Sequence, residues 1–370
     1  MTGLSVKAAE RSYPIVIDRG LDDRLHTLIR KAVGDNRLFV FFDANFYALH
    51  GGRVRAAAGM PARQLVEMVI PSGEKSKSAA VLASLYDFLL DQKATRMDVL
   101  LACGGGVTTD LVGYAAATIL RGIRWGAVPT TLLGMVDASI GGKTGINHPR
   151  GKNLIGAFWP PEFVCADLEY LTTLERRQMV AGLGEILKCA GLSGSSFTGQ
   201  VEGFLESGDL YHFEELGPLV RQAAGYKAAI VSRDEREQGP RMYLNLGHTF
   251  AHGIEQALGY GRLLHGETVV LGLCAALLLG EAQGYNSKSL SRYSRIVQRF
   301  MRLLPRRKLN VDTVLQTMGL DKKRSSQGLR FVLLERLGKP IIYDNVDRRL
   351  IKSALESMIS IYRAEGGKDA

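Results

Sequence analysis

The chain has 370 residues, a length that suggests two domains, with 47 Lys and Arg against 37 Asp and Glu. A hydrophobic content of 46% is near the globular average and the 42 Gly are scattered, which excludes the collagen-like and disordered classes. Eight basic residues and no acidic residue lie between positions 282 and 310. Most of the excess of basic over acidic residues therefore comes from this one segment, and the rest of the chain is close to neutral.

Cysteine spacing and the apolar runs favour a soluble cytoplasmic protein. The four Cys, at 103, 165, 189 and 274, share no close spacing, which argues against a disulfide framework and against a CxxC metal site. The N-terminal segment lacks the apolar core of a signal peptide. The longest apolar run, residues 268–279, is shorter than the roughly 20 residues that a membrane span needs. We therefore expect no membrane partner.

The first half of the chain alternates predicted strands with predicted helices. Residues 38–42 and 99–103 are continuous apolar runs that end at Asp or Gly, a pattern typical of strands buried on both faces. Between them, residues 80–90 place apolar side chains at helical spacing. This alternation predicts a parallel, Rossmann-like α/β domain.

The pattern changes to long helical stretches after about residue 175. The predicted helices span 176–190, 219–231, 249–258 and 267–283. A helical second domain is the simplest interpretation. We therefore expect an α/β domain over residues 1–175 and an all-α domain over residues 176–370.

A glycine-rich turn, GGGVTTD at residues 104–110, lies between a predicted strand and a helix predicted over 111–120. Residues without side chains let backbone N–H groups approach a phosphate, and a helix N-terminus adds a positive dipole. The turn lacks the GxGxxG pattern and the acidic residue expected about 20 positions later. Instead, an acidic residue, Asp43, lies at the end of an earlier predicted strand. A pyrophosphate cradle is favoured over a turn without a ligand.

Three of the seven histidines fall in the motifs GHTFAH and HGE. His248 and His252 share a helix face, as the ligands of HExxH sites do, but the glutamate of that motif is missing, which excludes a metalloprotease. These two and His265 are candidate metal ligands, with Glu185, in an otherwise apolar helix, as the carboxylate. The alternative is that Glu185 merely pairs with Lys188, one turn further on.

Cations recur in a loop and near the histidines. The segment KTGINHPRGKN at residues 143–153 is broken by Gly and Pro and holds three cations, and Lys227, Arg241 and Asn245 follow later. If they converge, such groups suit a substrate with phosphate and carboxylate groups. Ordinary surface charge is the alternative.

Together these motifs resemble the 3-dehydroquinate synthases of the sugar-phosphate cyclase family, from about residue 43 to 323. In chain order the matching motifs are PSGEKSK at 71–77, GGGVTTDLVG at 104–113, LRG at 120–122, VPTTLL at 128–133, VDASIGGKTGINHPRGKNLIGAF at 136–158, GLGEILK at 182–188, DERE at 234–237, RMYLNLGHTF at 241–250 and LHGE at 264–267. The resemblance implies an N-terminal NAD-binding α/β domain and a C-terminal helical metal-binding domain.

The resemblance also implies an activity. The family converts 3-deoxy-D-arabino-heptulosonate 7-phosphate into 3-dehydroquinate and phosphate, in the shikimate pathway through chorismate to aromatic amino acids. NAD⁺ transiently oxidises the C5 hydroxyl, phosphate is eliminated, the ketone is reduced back, and the opened ring closes by an aldol step. A divalent metal, Zn²⁺ or Co²⁺, binds the substrate hydroxyls and lowers their pKa.

The resemblance also implies a role for individual residues. The implied metal ligands are Glu185, His248 and His265. The implied phosphate pocket is Lys143, Asn153, Asn245, His252 and Lys323 or its neighbour Lys322. Lys227 and Arg241 resemble the carboxylate clamp, and Asp137 and Lys188 the groups that hold ring hydroxyls. His252 is thereby expected on the substrate side and not among the ligands.

The NAD-binding residues and the assembly are implied in the same way. The matching positions for NAD are Asp43, Asn45, Glu74, Lys77, Gly105, Gly106, Asp110, Thr130, Thr131, Lys152 and Thr173, beside Lys143. Arg121 would reach the site of a second subunit, which implies a homodimer. One departure is Thr109, where the family usually has a small residue; it would narrow the turn, although its hydroxyl could donate to the pyrophosphate.

Three other functions compete with this one. Other sugar-phosphate cyclases take sedoheptulose 7-phosphate or glucose 6-phosphate, which lack the carboxylate. Metal-dependent alcohol or glycerol dehydrogenases share the architecture but need no phosphate or carboxylate pocket, so Lys143, Lys152 and Arg241 argue against them. A nucleic-acid-binding module rests only on the basic segment near 288–308.

That basic segment has the pattern of an amphipathic helix. Its cations fall at helical spacing on one face, and apolar side chains fall on the other. The cations are Lys288, Arg292, Arg295, Arg299, Arg302 and Arg306; the apolar residues are Leu290, Tyr293, Val297, Phe300 and Leu304. We expect a surface helix with a solvated basic side, and therefore no nucleic-acid partner.

Overall fold

The computed structural model describes residues 3–8, 11–319 and 329–365 and contains two compact units. The first comprises the described residues up to Leu174 together with Lys227–Arg236. The second comprises Glu175–Tyr226 and the described residues from Glu237 onward.

The first unit is built on a seven-stranded sheet of order β1-β2-β9-β6-β5-β3-β4, parallel except for β1. Its strands are β1 Leu4–Lys7, β2 Ser12–Asp18, β3 Leu38–Asp43, β4 Leu65–Ile70, β5 Val99–Gly104, β6 Arg124–Pro129 and β9 Val164–Asp167. Its helices are α1 Asp22–Val33, α2 Ala44–Ala58, α3 Ala79–Asp91 and α4 Gly106–Thr118. Strands β7 Lys143–His148 and β8 Gly151–Phe158 form a separate hairpin.

The central strands explain the continuous apolar runs of the sequence. Every residue of β5, and every residue of β3 before Asp43, is buried. The chain leaves β3 towards β4 on one side and leaves β5 towards β6 on the other. The carboxyl ends of β3 and β5 therefore lie at the point where the strand order reverses, which is where open α/β sheets bind ligands.

The second unit is mainly helical, which confirms the expected fold class. Its helices are α5 Arg176–Ser193, α6 Ser195–Ser207, α7 Phe213–Val231 (which enters the first unit at Lys227), α8 His248–Leu258, α9 His265–Ala282, α10 Lys288–Phe300, α11 Val311–Thr317 and α12 Arg348–Glu365. A hairpin that the sequence did not predict, β10 Phe331–Arg336 with β11 Lys339–Tyr343, accompanies them.

Helix α9 is the core element of this unit. It is buried along most of its length, with α5, α8, α10 and α12 packed around it. By length and composition alone it could cross a membrane, and it is the one such helix in the described part of the chain. Its burial inside the protein is what a core helix shows.

The basic segment forms the predicted amphipathic helix, but that helix ends at Phe300 and a short 3₁₀ turn follows. The apolar face is buried. The basic side is not only solvated, because three of its arginines pair with carboxylates of neighbouring helices. These ion pairs are Arg292–Glu202, Arg299–Glu206 and Arg302–Glu365.

Candidate active site

In the first unit, the glycine-rich turn lies against Asp43. A Cβ atom at Gly104 would lie 2.5 Å from the Thr108 hydroxyl oxygen and 3.0 Å from the Asp43 Cβ atom, so only glycine fits there. Helix α4 begins at Gly106, five residues before its predicted start, and its N-cap residue, Gly105, has no side chain to cap the first turn. Its N–H groups are therefore available to an anion at the switch point of the sheet.

Asp43 ends β3 and caps helix α2. Its Oδ1 accepts hydrogen bonds from the backbone N–H groups of Asn45 and Phe46, at 3.0 and 3.2 Å, and from the Ser72 hydroxyl at 2.7 Å. Because all three donors use Oδ1, the carboxylate is held in one orientation. Its Oδ2 is the atom left to accept a further hydrogen bond.

Thr109 corrects one expectation. Its side chain is buried, and its hydroxyl donates to the carbonyl oxygen of Gly106 at 3.2 Å. Because the helix already includes Thr109, its hydroxyl bonds back to the preceding turn and does not point at a phosphate.

Lys77 joins residues expected for two different roles. It is buried, and its Nζ donates to Asp110 Oδ2 and to Asn153 Oδ1, both at 2.5 Å. Burial raises the pKa of Asp110, although the Lys77 ammonium opposes that shift. Asn153 adopts a left-handed backbone, with φ of 56°. Asparagine adopts this conformation more readily than most other residues do.

The other residues expected for NAD lie around the same sheet. Asn147 donates from Nδ2 to Glu74 Oε1 at 2.6 Å, and the Lys152 ammonium lies 4.0 Å from that oxygen. Thr130 and Thr131 follow β6, and Thr131 Oγ1 accepts from the N–H of Gly134. Thr173 and Lys143 complete the set: the Thr173 hydroxyl lies 2.8 Å from His50 Nε2, and Lys143 begins β7 with its side chain exposed.

Asp137 and Lys227 form a contact within the first unit. Asp137 lies in a short π-helix, Gly134–Ala138. The Lys227 Nζ donates to Asp137 Oδ1 at 2.5 Å and to the Asp137 carbonyl oxygen at 2.8 Å. Lys227, which is expected to bind the substrate carboxylate, therefore contacts Asp137, which is expected to bind a ring hydroxyl.

In the second unit, Glu185, His248 and His265 form a compact cluster. Glu185 Oε1 lies 3.7 Å from His248 Nε2 and 3.4 Å from His265 Nε2. Bonds of roughly 2.1 Å to a tetrahedral Zn²⁺ put ligand atoms about 3.4 Å apart. Neither oxygen of the fully buried Glu185 has a well-aligned hydrogen bond in the described chain, although the Lys188 ammonium lies 2.5 Å away. The donor set and its spacing fit a divalent metal.

Close helix packing brings these three side chains together. A Cβ atom at Gly266 would lie 1.8 Å from the carbonyl oxygen of Ala181, so α9 touches the backbone of α5 beside His265. A Cβ atom at Gly272 would lie 2.1 Å from the carbonyl oxygen of Gly247, which precedes His248. Glycines on α9 therefore set the distances from His265 to its partners on α5 and α8.

The charged side chains of the cluster shift one another's pKa values. Burial alone would raise the pKa of Glu185, but the Lys188 ammonium and the two histidines hold it well below its usual value. Burial and the Lys188 charge lower the pKa of His248. Burial also opposes protonation of His265, but the carboxylates of Glu185 and Glu255 raise its pKa to about 9. One of the two histidines is therefore protonated at neutral pH before metal binds.

Several other expected residues lie in the second unit. His252 is exposed on α8, with its ring centre 6.1 Å from that of His265. Arg241 is buried in a 3₁₀ turn, and Asn245, at its end, donates from Nδ2 to Glu237 Oε1 at 2.6 Å. Among the described residues, His252 groups with Glu255 and His265 and not with Glu185 and His248.

Arg121 and Lys323 are the remaining expected residues. Arg121, in the first unit, is exposed and follows Leu120 in a left-handed backbone, with φ of 64° and 51°. Consecutive residues of this kind cost about 1–2 kcal/mol each, so the surrounding chain must impose the conformation. Lys323 and its neighbour Lys322 lie outside the described residues.

Some residues that hold the expected ones in place were not predicted from the sequence. Glu267 is fully buried, forms a two-point ion pair with Arg177 at 2.7 and 2.9 Å, and accepts from the N–H of Leu264 at 2.6 Å. It thereby anchors the start of α9, which carries His265. The signal was present, because an acid in the first turn of an apolar helix is a capping pattern. Glu237 and Glu255 gave no such local signal.

Comparison with known proteins follows the same division. Family models described as 3-dehydroquinate synthase N-terminal and C-terminal match residues 67–181 and 182–324. A 3-dehydroquinate synthase from Methylococcus capsulatus is 39% identical over 358 residues, which cover 96% of this chain and 99% of the relative.

Solved structures share the fold. A 2-epi-5-epi-valiolone synthase from Streptomyces hygroscopicus, with NAD⁺ and Zn²⁺ bound, has a TM-score of 0.83 and 26% identity, covering 95% of this chain and 98% of the other. A 2-deoxy-scyllo-inosose synthase complexed with carbaglucose-6-phosphate, NAD⁺ and Co²⁺ has a TM-score of 0.84 and 24% identity, covering 96% and 100%.

Proposed function

The chain belongs to the 3-dehydroquinate synthase family, and from that premise we propose how its residues divide the work of the reaction. The enzyme is a lyase that converts 3-deoxy-D-arabino-heptulosonate 7-phosphate into 3-dehydroquinate and phosphate, with NAD and a divalent metal. The reaction belongs to aromatic amino acid biosynthesis.

The main support for this assignment of roles is the cluster of Glu185, His248 and His265. Glu185, His248 and His265 would hold the Zn²⁺ or Co²⁺ and leave a coordination position for substrate. A divalent metal at that point lowers the pKa of a substrate hydroxyl and polarises a carbonyl. Lys188, beside Glu185, would donate to a ring hydroxyl and pair with the Glu185 carboxylate.

The first unit would bind NAD, the hydride acceptor and donor of the reaction. The first turn of α4 would donate N–H groups to the pyrophosphate, with Gly105 and Gly106 allowing close approach. Asp43 would accept ribose hydroxyls at Oδ2, and Lys77 would keep Asp110 in place. The remaining contributors would be Asn45, Glu74, Thr130, Thr131, Lys143, Lys152 and Thr173.

Cations and amides would bind the charged groups of the substrate. The phosphate would be bound by Lys143, Asn153, Asn245, His252 and Lys323. The carboxylate would be bound by Lys227 and Arg241. Asp137, which now accepts from Lys227, would hold a ring hydroxyl and orient that lysine.

We propose the same organisation at the level of the chain and the cell. The NAD-binding domain would span residues 1–175 and the metal- and substrate-binding domain residues 176–370. Arg121 would complete the site of a second subunit in a homodimer, since it is an exposed cation held in a left-handed backbone. The enzyme would act in the cytoplasm on a small acidic sugar phosphate, without nucleic-acid or membrane partners.

A phosphate-release assay tests this function against the other cyclases. The enzyme is given the heptulosonate phosphate or sedoheptulose 7-phosphate, with substoichiometric NAD⁺ and Zn²⁺. We expect release only from the carboxylate-bearing sugar, loss on chelation and recovery with Zn²⁺ or Co²⁺. Turnover of sedoheptulose 7-phosphate alone would contradict the proposal. Conversion of all the supplied NAD⁺ into NADH, without recycling, would indicate a dehydrogenase.

A further inference from the structure

Glu255 is a buried carboxylate to which the roles above assign no task. It lies on α8, three residues after His252, and is 4% exposed. A carboxylate in such a place requires a compensating partner, because burial of an unpaired charge is costly. His265 is such a partner: its Nδ1 lies 3.6 Å from Glu255 Oε2.

The two ring nitrogens of His265 therefore face two different carboxylates. Nε2 lies 3.4 Å from Glu185 Oε1, on the side where the metal would bind. Nδ1 faces Glu255 at the other side of the ring. A neutral imidazole can offer a lone pair from one nitrogen only while the other carries the proton.

His248 is oriented in the same way by a different group. Its Nε2 faces Glu185 at 3.7 Å, and its Nδ1 lies 3.3 Å from the carbonyl oxygen of Leu246. Both histidines thus have an oxygen acceptor at Nδ1 and the shared carboxylate at Nε2. For His248 the acceptor is backbone, whereas for His265 it is a side chain that a mutation can remove.

We infer that Glu255 is a positioning residue for the metal: it accepts a hydrogen bond from the Nδ1–H group of His265 and so leaves Nε2 to bind the metal. This inference rests on the metal-binding role proposed for Glu185, His248 and His265. An acceptor of this kind fixes the tautomer and the ring orientation and makes the imidazole a better donor to the metal.

The geometry also allows Glu255 to be a metal ligand itself. The ligand atoms of His252, Glu255 and His265 also lie within 4.8 Å of one another. If Glu255 were itself a ligand, the wild-type chain would bind a second cation there, or the variant would lose its metal entirely. Metal stoichiometry separates these possibilities from positioning.

The test measures Zn²⁺ affinity and stoichiometry on the metal-free full chain, by competition with a chromophoric chelator. The wild type is expected to bind one Zn²⁺. Glu255→Leu removes both charge and acceptor and should weaken binding by about 10–100-fold. Glu255→Gln keeps an acceptor oxygen and should lose less. Both variants should still bind one Zn²⁺ and should bind NAD⁺ as the wild type does.

The control is Glu281→Gln, the same change at an exposed position of α9, which should leave Zn²⁺ affinity unchanged. If Glu255→Leu does not fold, the Gln variant decides. Unchanged affinity in the Glu255 variants, a wild type that binds two Zn²⁺, or variants that bind none would overturn the inference. A wild type that binds no Zn²⁺ would instead refute the proposed metal site.

Discussion

Gly266 and Ala181 touch through their backbones, and this contact fixes the distance between the two helices that carry the cluster. A Cβ atom added to Gly266 would lie 1.8 Å from the Ala181 carbonyl oxygen. Gly184, one residue before Glu185, repeats the contact from the other side, since its Cβ atom would lie 2.4 Å from the Gly266 carbonyl oxygen. The glycines of GLGE and HGE thus serve the geometry of Glu185 and His265.

We predict that Gly266→Ala separates α5 from α9. The new methyl group meets a backbone carbonyl, which cannot rotate away, so the free energy of unfolding should fall by about 1–3 kcal/mol or more. Zn²⁺ affinity should fall as well, because the Glu185–His265 distance grows. Denaturant unfolding and chelator competition measure the two effects. The matched control is Gly203→Ala on α6, where the new methyl group meets nothing within 4 Å. That change should stabilise the helix by about 0.5–1 kcal/mol; equal behaviour of the two variants would contradict the packing argument.

We predict that Arg177 and Glu267 stabilise the second unit as a pair. Arg177→Met leaves the fully buried Glu267 without its two-point partner and should cost about 1–3 kcal/mol of unfolding free energy. Glu267→Met should cost a similar amount, partly because the Leu264 N–H loses its acceptor. The double variant should cost less than the sum of the two, since neither charge is then left unpaired. Strictly additive losses in denaturant unfolding would show that the pair does not act as a unit.

The sequence predicted the parts of the fold that local pattern controls. The continuous apolar runs of β3 and β5, the amphipathic α10 and the change to helices near residue 175 all follow from periodicity or composition. It also selected Glu185, His248 and His265, because a charged residue in an apolar helix and a histidine cluster are locally visible.

Other features depend on contacts between distant segments. Glu255 and Glu237 have roles set by side chains that approach them from other elements or turns, and helix spacing says nothing about those. The hydroxyl of Thr109 was misjudged because α4 begins five residues earlier than predicted. Helix starts are poorly specified where glycines, which favour no one backbone conformation, precede the helix.

We predict that zinc uptake releases a proton from His265. The Glu185 and Glu255 carboxylates outweigh burial and raise the pKa of His265 from 6.5 to about 9, so the metal-free ring is protonated near neutral pH. Zn²⁺ must displace that proton. Apparent Zn²⁺ affinity should therefore rise about tenfold per pH unit from roughly pH 6.5 to 8. Chelator competition at several pH values measures this slope, and a flat profile over that range would contradict it.

The raised pKa of His265 also makes the stability of the metal-free protein depend on pH. Because the folded pKa lies above the unfolded value, the contribution of His265 is fully present below about pH 6.5. It is lost as pH rises through about 9. Denaturant unfolding of the metal-free enzyme should therefore show stability falling across that window.

We predict that Lys77 supports the NAD site through Asp110 and Asn153. Lys77→Met removes two charge-assisted hydrogen bonds and leaves Asp110 poorly compensated, so unfolding free energy should fall by about 1–3 kcal/mol. NAD⁺ affinity, measured by calorimetry, should fall by about tenfold, equivalent to roughly 1.4 kcal/mol. The control is Lys75→Met, an exposed neighbour in the same turn. A Lys75 variant as weak as the Lys77 variant would indicate a general charge effect.

The metal content of two matched variants tests the central claim most directly. Glu185→Gln keeps the shape of the side chain but removes the ligand charge, whereas Lys188→Met removes the cation and leaves the carboxylate. If Glu185 binds the metal, the Gln variant should lose Zn²⁺ and phosphate release while still binding NAD⁺, and the Met variant should retain one Zn²⁺. A Glu185→Gln enzyme with unchanged Zn²⁺ content would contradict the account and leave Glu185 as no more than the partner of Lys188.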